Sequence, residues 1–265
     1  MSKFGFIGVG NMGSALAIAL SKQTKDIAVA DLNGDKVSDI CEKIGATAST
    51  NEYIARNSKY IILAVKPQFM ADMLDDISEI LRERTDDFVL VSIAAGLSIA
   101  KIQDMAKGEY KVIRVMPNTP ALLGEGMLLY TAYESVSESE LSEFLSAMKY
   151  AGNWDGISEK LIDAGSAVSG CGPAFVYMFI EALADGGVQC GLPRDKALKY
   201  AVQTLKGSAM MVEETGKHPG LLKDEVCSPG GTTIEGVKAL EENGFRAATI
   251  NAVEKAYKKT LELGK

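Results

Sequence analysis

The sequence predicts an α/β fold in two parts. Residues 1–157 read as a mostly parallel sheet with helices on both faces, and residues 158–265 as an all-helical domain. Three observations carry this. Short, near-continuously apolar runs alternate with helical patterns up to Trp154, the signature of parallel strands buried on both faces. The first run passes through Gly8-x-Gly10-x-x-Gly13 straight into a helical pattern. No convincing strand follows Ser158.

Taken in order, Phe4–Ile7 is the first strand, and Ala15, Leu16, Ala19 and Leu20 mark one face of the helix after it. Ile27–Ala30 is a second strand, closed by Asp31. Asn33-Gly34 turns the chain into a helix carrying Val37, Ile40, Cys41 and Ile44, and a short third strand is expected at 46–48. Tyr60–Val65 is a buried strand stopped by Lys66-Pro67, with a helix over 69–84. Phe88–Ile93 is the next strand, ended by Ala94-Ala95-Gly96, with a helix near 98–106. The strand at 111–115 closes in Met116-Pro117-Asn118-Thr119-Pro120. Residues 124–157 form the sheet edge, with strands near 127–131 and at Trp154 around a helix at 137–151. Beyond Ser158 helices are expected over 159–169, 172–190, 194–215, 219–226, 232–242 and 244–263, punctuated by Gly191-Leu192-Pro193 and Gly216–Pro219. Phe175, Met178, Phe179, Ala182 and Leu183 spread apolar groups around most of one helix, which either is the buried core of a monomeric domain or, the favoured reading, pairs with a second copy of the chain.

The composition excludes several classes. With 265 residues the chain is long enough for one or two domains, and 47% apolar with 24% charged residues is globular. A net charge of −7 makes a poor partner for nucleic acid or an anionic membrane. No apolar run approaches the ~20 residues of a membrane span, and Met1–Gly8 lacks a secretory apolar core, so a targeting segment is not expected. Cys41, Cys171, Cys190 and Cys227 are scattered without a CxxC pair, which points to a reducing, cytoplasmic compartment and no metal site. His218 is the single histidine and precedes a helix, so a loop role is expected for it.

Two signals carry chemistry. In the glycine turn Gly8 makes the bend, Gly10 admits a pyrophosphate to the backbone, and Gly13 lets the helix pack on the strand. The helix N-terminus offers free N–H groups to the anion. Asp31 ends the next strand, placed to accept a ribose 2′-hydroxyl, and no Arg lies within ten residues of it; this local chemistry leans towards NADH. The second signal is Cys227–Glu235. Thr232-x-x-Glu235 reads as a capping box, Gly230 and Gly231 leave bare N–H groups before it, and Thr233 keeps a free hydroxyl, which together suit a carboxylate. Ala64–Pro67, Ile93–Gly96 and Met116–Pro120 close strands at one sheet edge, where ligands of such sheets bind.

Together these stretches, with Ser169–Pro173, Asp224–Thr233 and Gly244-Phe245-Arg246, resemble pyrroline-5-carboxylate reductases across the whole chain. The resemblance implies a Rossmann domain, a helical domain interleaved in a homodimer, dimers assembled into a decamer, and reduction of L-1-pyrroline-5-carboxylate to L-proline by NADPH or NADH. It places cofactor phosphates on Ile7, Gly8, Val9, Gly10, Asn11 and Met12, ahead of Gly13. Asn51 with Ala64, Val65, Lys66 and Pro67 would meet the adenosine and phosphate side, and Ile93, Ala94 and Ala95 the nicotinamide. The substrate carboxylate would fall on Ser228, Gly230, Gly231, Thr232 and Thr233, with Thr233 near the ring nitrogen as the catalytic contact. The family usually uses NADPH and often has small polar residues where this chain has Asp31-Leu32-Asn33; Cys171 stands where Ser is common.

A cyclic imine that enters protonated needs no acid from the protein, which suits a chain with one loop histidine. A 3-hydroxyacid dehydrogenase is the alternative enzyme, but it needs a Lys early in the helical domain, and Leu161–Asp195 contains none. A non-catalytic NAD sensor is the other alternative; it would not need the Gly230–Thr233 anion site.

Overall fold

The structure, a computed structural model, describes residues 2–263. Eight strands form one sheet in the order β3-β2-β1-β4-β5-β6-β7-β8. They are β1 Ser2–Ile7, β2 Ile27–Ala30, β3 Thr47–Ala48, β4 Ser58–Leu63, β5 Val89–Ser92, β6 Val112–Met116, β7 Gly126–Ala132 and β8 Gly152–Gly156. Only β6 and β7 run antiparallel. The connecting helices are α1 Asn11–Ser21, α2 Gly34–Ile44, α3 Asn51–Asn57, α4 Met70–Glu83, α5 Ile99–Met105 and α6 Glu138–Ala147. Strands β1, β4 and β5 present alternate side chains to two apolar layers. Phe4, Phe6, Tyr60, Ile62, Val89 and Val91 face one; Ile7, Ile61, Leu63 and Leu90 face the other. Burial on both faces accounts for the unbroken apolar runs.

The chain separates into two compact units, residues 1–171 with 256–265, and residues 172–255. The first helix after the sheet, α7 (Glu159–Ser169), belongs with the sheet. Arg114 of β6 is 2% exposed and pairs with Asp163 and Glu159 of α7. Glu159 also accepts the Ile99 N–H at 2.7 Å, so one carboxylate ties α7 to the start of α5. Asn118, just past β6, donates to the Ser169 carbonyl at 2.9 Å and accepts from Met127 N–H at 3.0 Å.

The second unit holds α8 (Gly172–Gln189), α9 (Arg194–Thr215), α10 (Pro219–Val226), α11 (Thr232–Glu242) and the first turns of α12 (Phe245–Leu263). Helices α8 and α9 pack through Ala184, Ala197 and Ala201. The close approach is set at Gly187, whose absent Cβ would lie 3.2 Å from that of Ala197. Phe179 meets Phe245 with ring centroids 5.6 Å apart. Val176, Tyr177, Met178 and Leu183 of α8 are exposed on the single chain. Residues 159–189, α7 and α8 together, contain an 18-residue window of mean hydropathy 1.4, long and apolar enough to cross a membrane by length and composition alone. That corrects the expectation that no run reaches span length. The stretch is two helices parted by a turn at Gly170-Cys171, and α7 packs on the sheet unit.

Two elements depart from expectation. Helix α3 was not anticipated, and the expected helix at 137–151 stops at Ala147 and finishes in a 3-10 turn at Lys149–Ala151.

Candidate active site

The glycine turn sits between the ends of β2 and β4. Gly8 N–H donates to the Ala30 carbonyl at 2.7 Å, and Ala64 N–H to the Ile7 carbonyl at 2.8 Å. Gly8 has φ +100°, and a Cβ there would lie 2.7 Å from the Ala64 carbonyl oxygen. At Gly13 a Cβ would lie 2.3 Å from the Gly8 carbonyl oxygen. Both positions therefore demand glycine, one for conformation and one for packing. At Gly10 a Cβ would meet nothing within 4 Å, so that side of the loop is open. Gly10 is the N-cap of α1 and offers no side-chain cap, which leaves the amides of the first turn without a side-chain acceptor. An open face lined by such amides at a helix N-terminus fits a dinucleotide pyrophosphate. The Ser14 hydroxyl braces the loop by donating to the Val9 carbonyl at 2.7 Å.

A cavity of about 440 Å³ opens beside this turn. It gathers Ile7, Gly8, Gly10, Asp31, Asn51, Ala64, Val65 and Lys66 from the expected residues. Val9 and Asn11 border an adjoining cavity of about 320 Å³. Met12, Gly13, Pro67, Ile93, Ala94 and Ala95 line neither. Gly13 backs onto Gly8, Pro67 opens a 3-10 turn, and Ala94 is buried against the apolar layer under the sheet. The larger cavity also takes Leu32, Lys36, Phe69, Asp72, Met73 and Asp76, which were not anticipated. Phe69, Asp72, Met73 and Asp76 recur at helical spacing, and that rhythm is the one signal that could have revealed them.

Asp31 is already engaged by the backbone. One carboxylate oxygen accepts Val9 N–H at 2.8 Å and the other accepts Asn33 N–H at 2.9 Å. The side chain thus holds the glycine turn against the end of β2. Asn33 caps α2, its side-chain oxygen accepting from Asp35 and Lys36 N–H groups.

In the helical unit the turn at Cys227–Gly231 closes through a 3.0 Å bond from Gly231 N–H to the Ser228 carbonyl. Gly230 has φ +65°. The expected capping box does not form. Gly231, extended at φ −83° and ψ 175°, takes the N-cap position without a side-chain bond, and Thr232 becomes the first helical residue. A glycine cap leaves the first amides of α11 without a side-chain acceptor. Thr233 is half-buried, whereas Ser228 and Thr232 are exposed. His218 caps α10, its Nδ1 accepting from Gly220 N–H at 3.0 Å, as a loop residue before a helix does. Among the described residues no three His, Cys, Asp or Glu side chains group to hold a metal ion.

Residues 159–263 match the family model for pyrroline-5-carboxylate reductase dimerisation, and residues 3–96 that for NADP oxidoreductases, coenzyme F420-dependent. The chain is 42% identical to the pyrroline-5-carboxylate reductase of Escherichia coli, covering 99% of this chain and 98% of that protein. It is 41% identical to that of Pisum sativum over 98% of this chain and 95% of the relative. The crystal structure of the Plasmodium falciparum pyrroline carboxylate reductase with NADP bound superposes with TM-score 0.88 at 36% identity, covering 99% of this chain and 98% of the other. The Streptococcus pyogenes 1-pyrroline-5-carboxylate reductase gives 0.87 at 31% identity, covering 98% of each chain. Identity of this degree over both units, glycine turn and glycine-capped helix included, means that the chain belongs to the pyrroline-5-carboxylate reductase family.

Proposed function

We propose that this chain reduces L-1-pyrroline-5-carboxylate to L-proline with NAD(P)H. The observation that carries the reading is a pair of glycine-capped helix starts, α1 in the sheet unit and α11 in the helical unit, each with amides lacking a side-chain partner. The first suits a pyrophosphate and the second a small carboxylate. Residues 1–157 would then be the dinucleotide-binding domain and 158–265 the substrate and dimerisation domain.

When bound, the nicotinamide supplies a hydride. The protein's part is placement. Ile7–Gly13, Asp31, Asn51 and the Ala64–Pro67 loop hold the nucleotide, and Ile93–Ala95 border the nicotinamide. Ser228, Gly230, Gly231 and Thr232 hold the substrate carboxylate. Thr233 is a hydroxyl that can hydrogen-bond the ring nitrogen in either protonation state. An iminium that arrives protonated takes the hydride at its ring carbon and leaves as the amine, so no side chain need deliver a proton. This agrees with the single histidine serving as a helix cap.

We place the enzyme as a homodimer joined through α8, with dimers assembling into a decamer, in the cytoplasm. The exposed apolar face of α8 and the four free cysteines support the first and last of these. The test is steady-state oxidation of NADH and NADPH with pyrroline-5-carboxylate as acceptor, in the wild type and in Thr233→Ala. Turnover is expected, with kcat/KM falling about tenfold in the variant, the worth of roughly one hydrogen bond. No turnover with either nucleotide rejects the assignment.

A further inference from the structure

A third cavity, of about 590 Å³, shares Asp31, Leu32, Asn51 and Asp76 with the one of about 440 Å³. It is also lined by Glu52, and no Lys or Arg borders it. Three carboxylates from three elements therefore meet there: Asp31 after β2, Glu52 in the first turn of α3 and Asp76 in α4. Two arginines of those helices are engaged elsewhere, Arg56 with Glu83 and Arg82 with Glu79. The amides that open α2 are taken by the Asn33 side chain. Each oxygen of Asp31 accepts one backbone N–H and keeps a lone pair for a hydroxyl donor. A phosphate monoester brings about two negative charges and only acceptor oxygens. It would meet three carboxylates with no cation bordering this cavity, and a ribose hydroxyl would find an acceptor.

We propose that Glu52 and Asp76, acting with Asp31, exclude a 2′-phosphate and make this chain select NADH over NADPH. The proposal rests on the reading that these adjoining cavities hold the adenosine end of the dinucleotide. Lys36 and Lys66 border the cavity of about 440 Å³, and Lys36, five residues beyond Asp31, is the cation that would serve a 2′-phosphate if the selection ran the other way.

The experiment is calorimetric titration of the full-length protein with NADH and with NADPH in the absence of the imine, followed by turnover with it. At low salt the Kd for NADPH should exceed that for NADH by about tenfold or more. Raising ionic strength from about 10 to 150 mM should narrow that gap, because the screening length falls from ~30 to ~8 Å. Asp76→Asn and Glu52→Gln should each narrow it about threefold, as removal of one partly screened like charge would. Asp76→Lys should invert it. Circular dichroism checks that each variant is folded. Equal or tighter binding of NADPH by the wild type overturns the proposal, as does a ratio unmoved by salt and by these variants. Selective loss of NADPH affinity in Lys36→Ala, with NADPH the tighter ligand, would put the phosphate on Lys36 and overturn it too. Binding of neither nucleotide overturns instead the reading of the cavity itself.

Discussion

The sheet unit and the helical unit solve the burial problem differently. The sheet unit covers both faces of its strands with its own helices, and its largest buried side chains include Phe4, Phe6, Tyr60 and Phe144. The helical unit, with helices up to 22 residues long, buries three alanines, Ala184, Ala197 and Ala201. Alanine burial contributes little of the ~25 cal/mol per Å² that drives folding, while Met178 of α8 is left 69% exposed. Several exposed apolar side chains on one helix point to an interaction surface, and the dimerisation family model covers them. One unit therefore buries a large core of its own, and the other leaves apolar helix surface exposed within the residues that match the dimerisation family model.

The sharpest way to break this comparison is a charge on α8. At a truly solvated site Met178→Asp would change stability by no more than ~0.5 kcal/mol. As part of a subunit core it should yield monomers in size-exclusion chromatography with light scattering, and activity should fall by about 100-fold or more. Nucleotide binding by the sheet unit should persist. An unchanged elution volume and full activity would refute the dependence on a second copy.

Next in size is Arg114→Met. This tests whether the sheet unit draws on polar as well as apolar burial. The change leaves Asp163, and the part of Glu159 not held by Ile99 N–H, facing an apolar strand. Removing one partner of a fully buried ion pair costs about 3–5 kcal/mol; with Asp163 18% and Glu159 35% exposed the loss here should fall below that range. Denaturant unfolding should show that loss in the sheet unit, and the triple change Arg114→Met, Asp163→Leu, Glu159→Gln should recover much of it. A loss without recovery would mean that Arg114 acts by its volume and not by its charge.

Much of this division was legible in the sequence. Helix α9 runs from Arg194 to Thr215 as its flanking Pro193 and Gly216 announce, because proline and left-handed glycine act locally. Helix α3 was missed: seven residues burying only Ile54 and Ala55 are too few to establish a period, although Thr50 caps it in the ordinary way. Two Ser/Thr-x-x-Glu patterns at helix starts show where local rules stop. Ser137 and Glu140 form the reciprocal box, whereas Thr232 and Glu235 do not, because Gly231 enters the cap position first. The glycines of the cofactor turn are visible as a motif. The helical spacing of Phe69, Met73 and Asp76 shows that they share a face, but not that this face and Leu32 wall the cavity, since that depends on β1 lying between β2 and β4, and strand order is a long-range property.

Gly13→Ala sharpens the comparison inside the sheet unit. The new methyl would sit 2.3 Å from the Gly8 carbonyl oxygen, a backbone atom that cannot swing aside. Overpacking of this kind costs about 1–3 kcal/mol. The helix must retreat from the turn, so nucleotide affinity should fall by about tenfold while the dimer survives. Gly10→Ala, facing open space within 4 Å, should leave the fold intact and weaken nucleotide binding alone. Equal melting temperatures for the two variants would contradict the separation of packing from access.

The smallest effect lies at the N-terminal ends of two central strands, β1 and β4, which are pinned by charge. Glu143 of α6 accepts from Lys3 at 2.6 Å and from Lys59 at 2.5 Å, and the Tyr60 hydroxyl donates to it at 2.7 Å. The Lys3 and Lys59 ammonium groups, in that order, hold the Glu143 carboxyl down at about 2 from its ordinary 4.5, against the opposing push of burial. A carboxylate depressed in the folded state stabilises it above the unfolded value, and that contribution is lost as pH falls from about 4.5 towards 2. Because the group is about one-third exposed, solvent screening limits the gain to roughly 1 kcal/mol. Glu143→Gln should therefore lower the melting temperature of the sheet unit by a few degrees at pH 7. The difference between the two proteins should close as the pH drops below 4, and a gap of constant size across that range would assign the loss to the Tyr60 and Lys59 hydrogen bonds rather than to the charge.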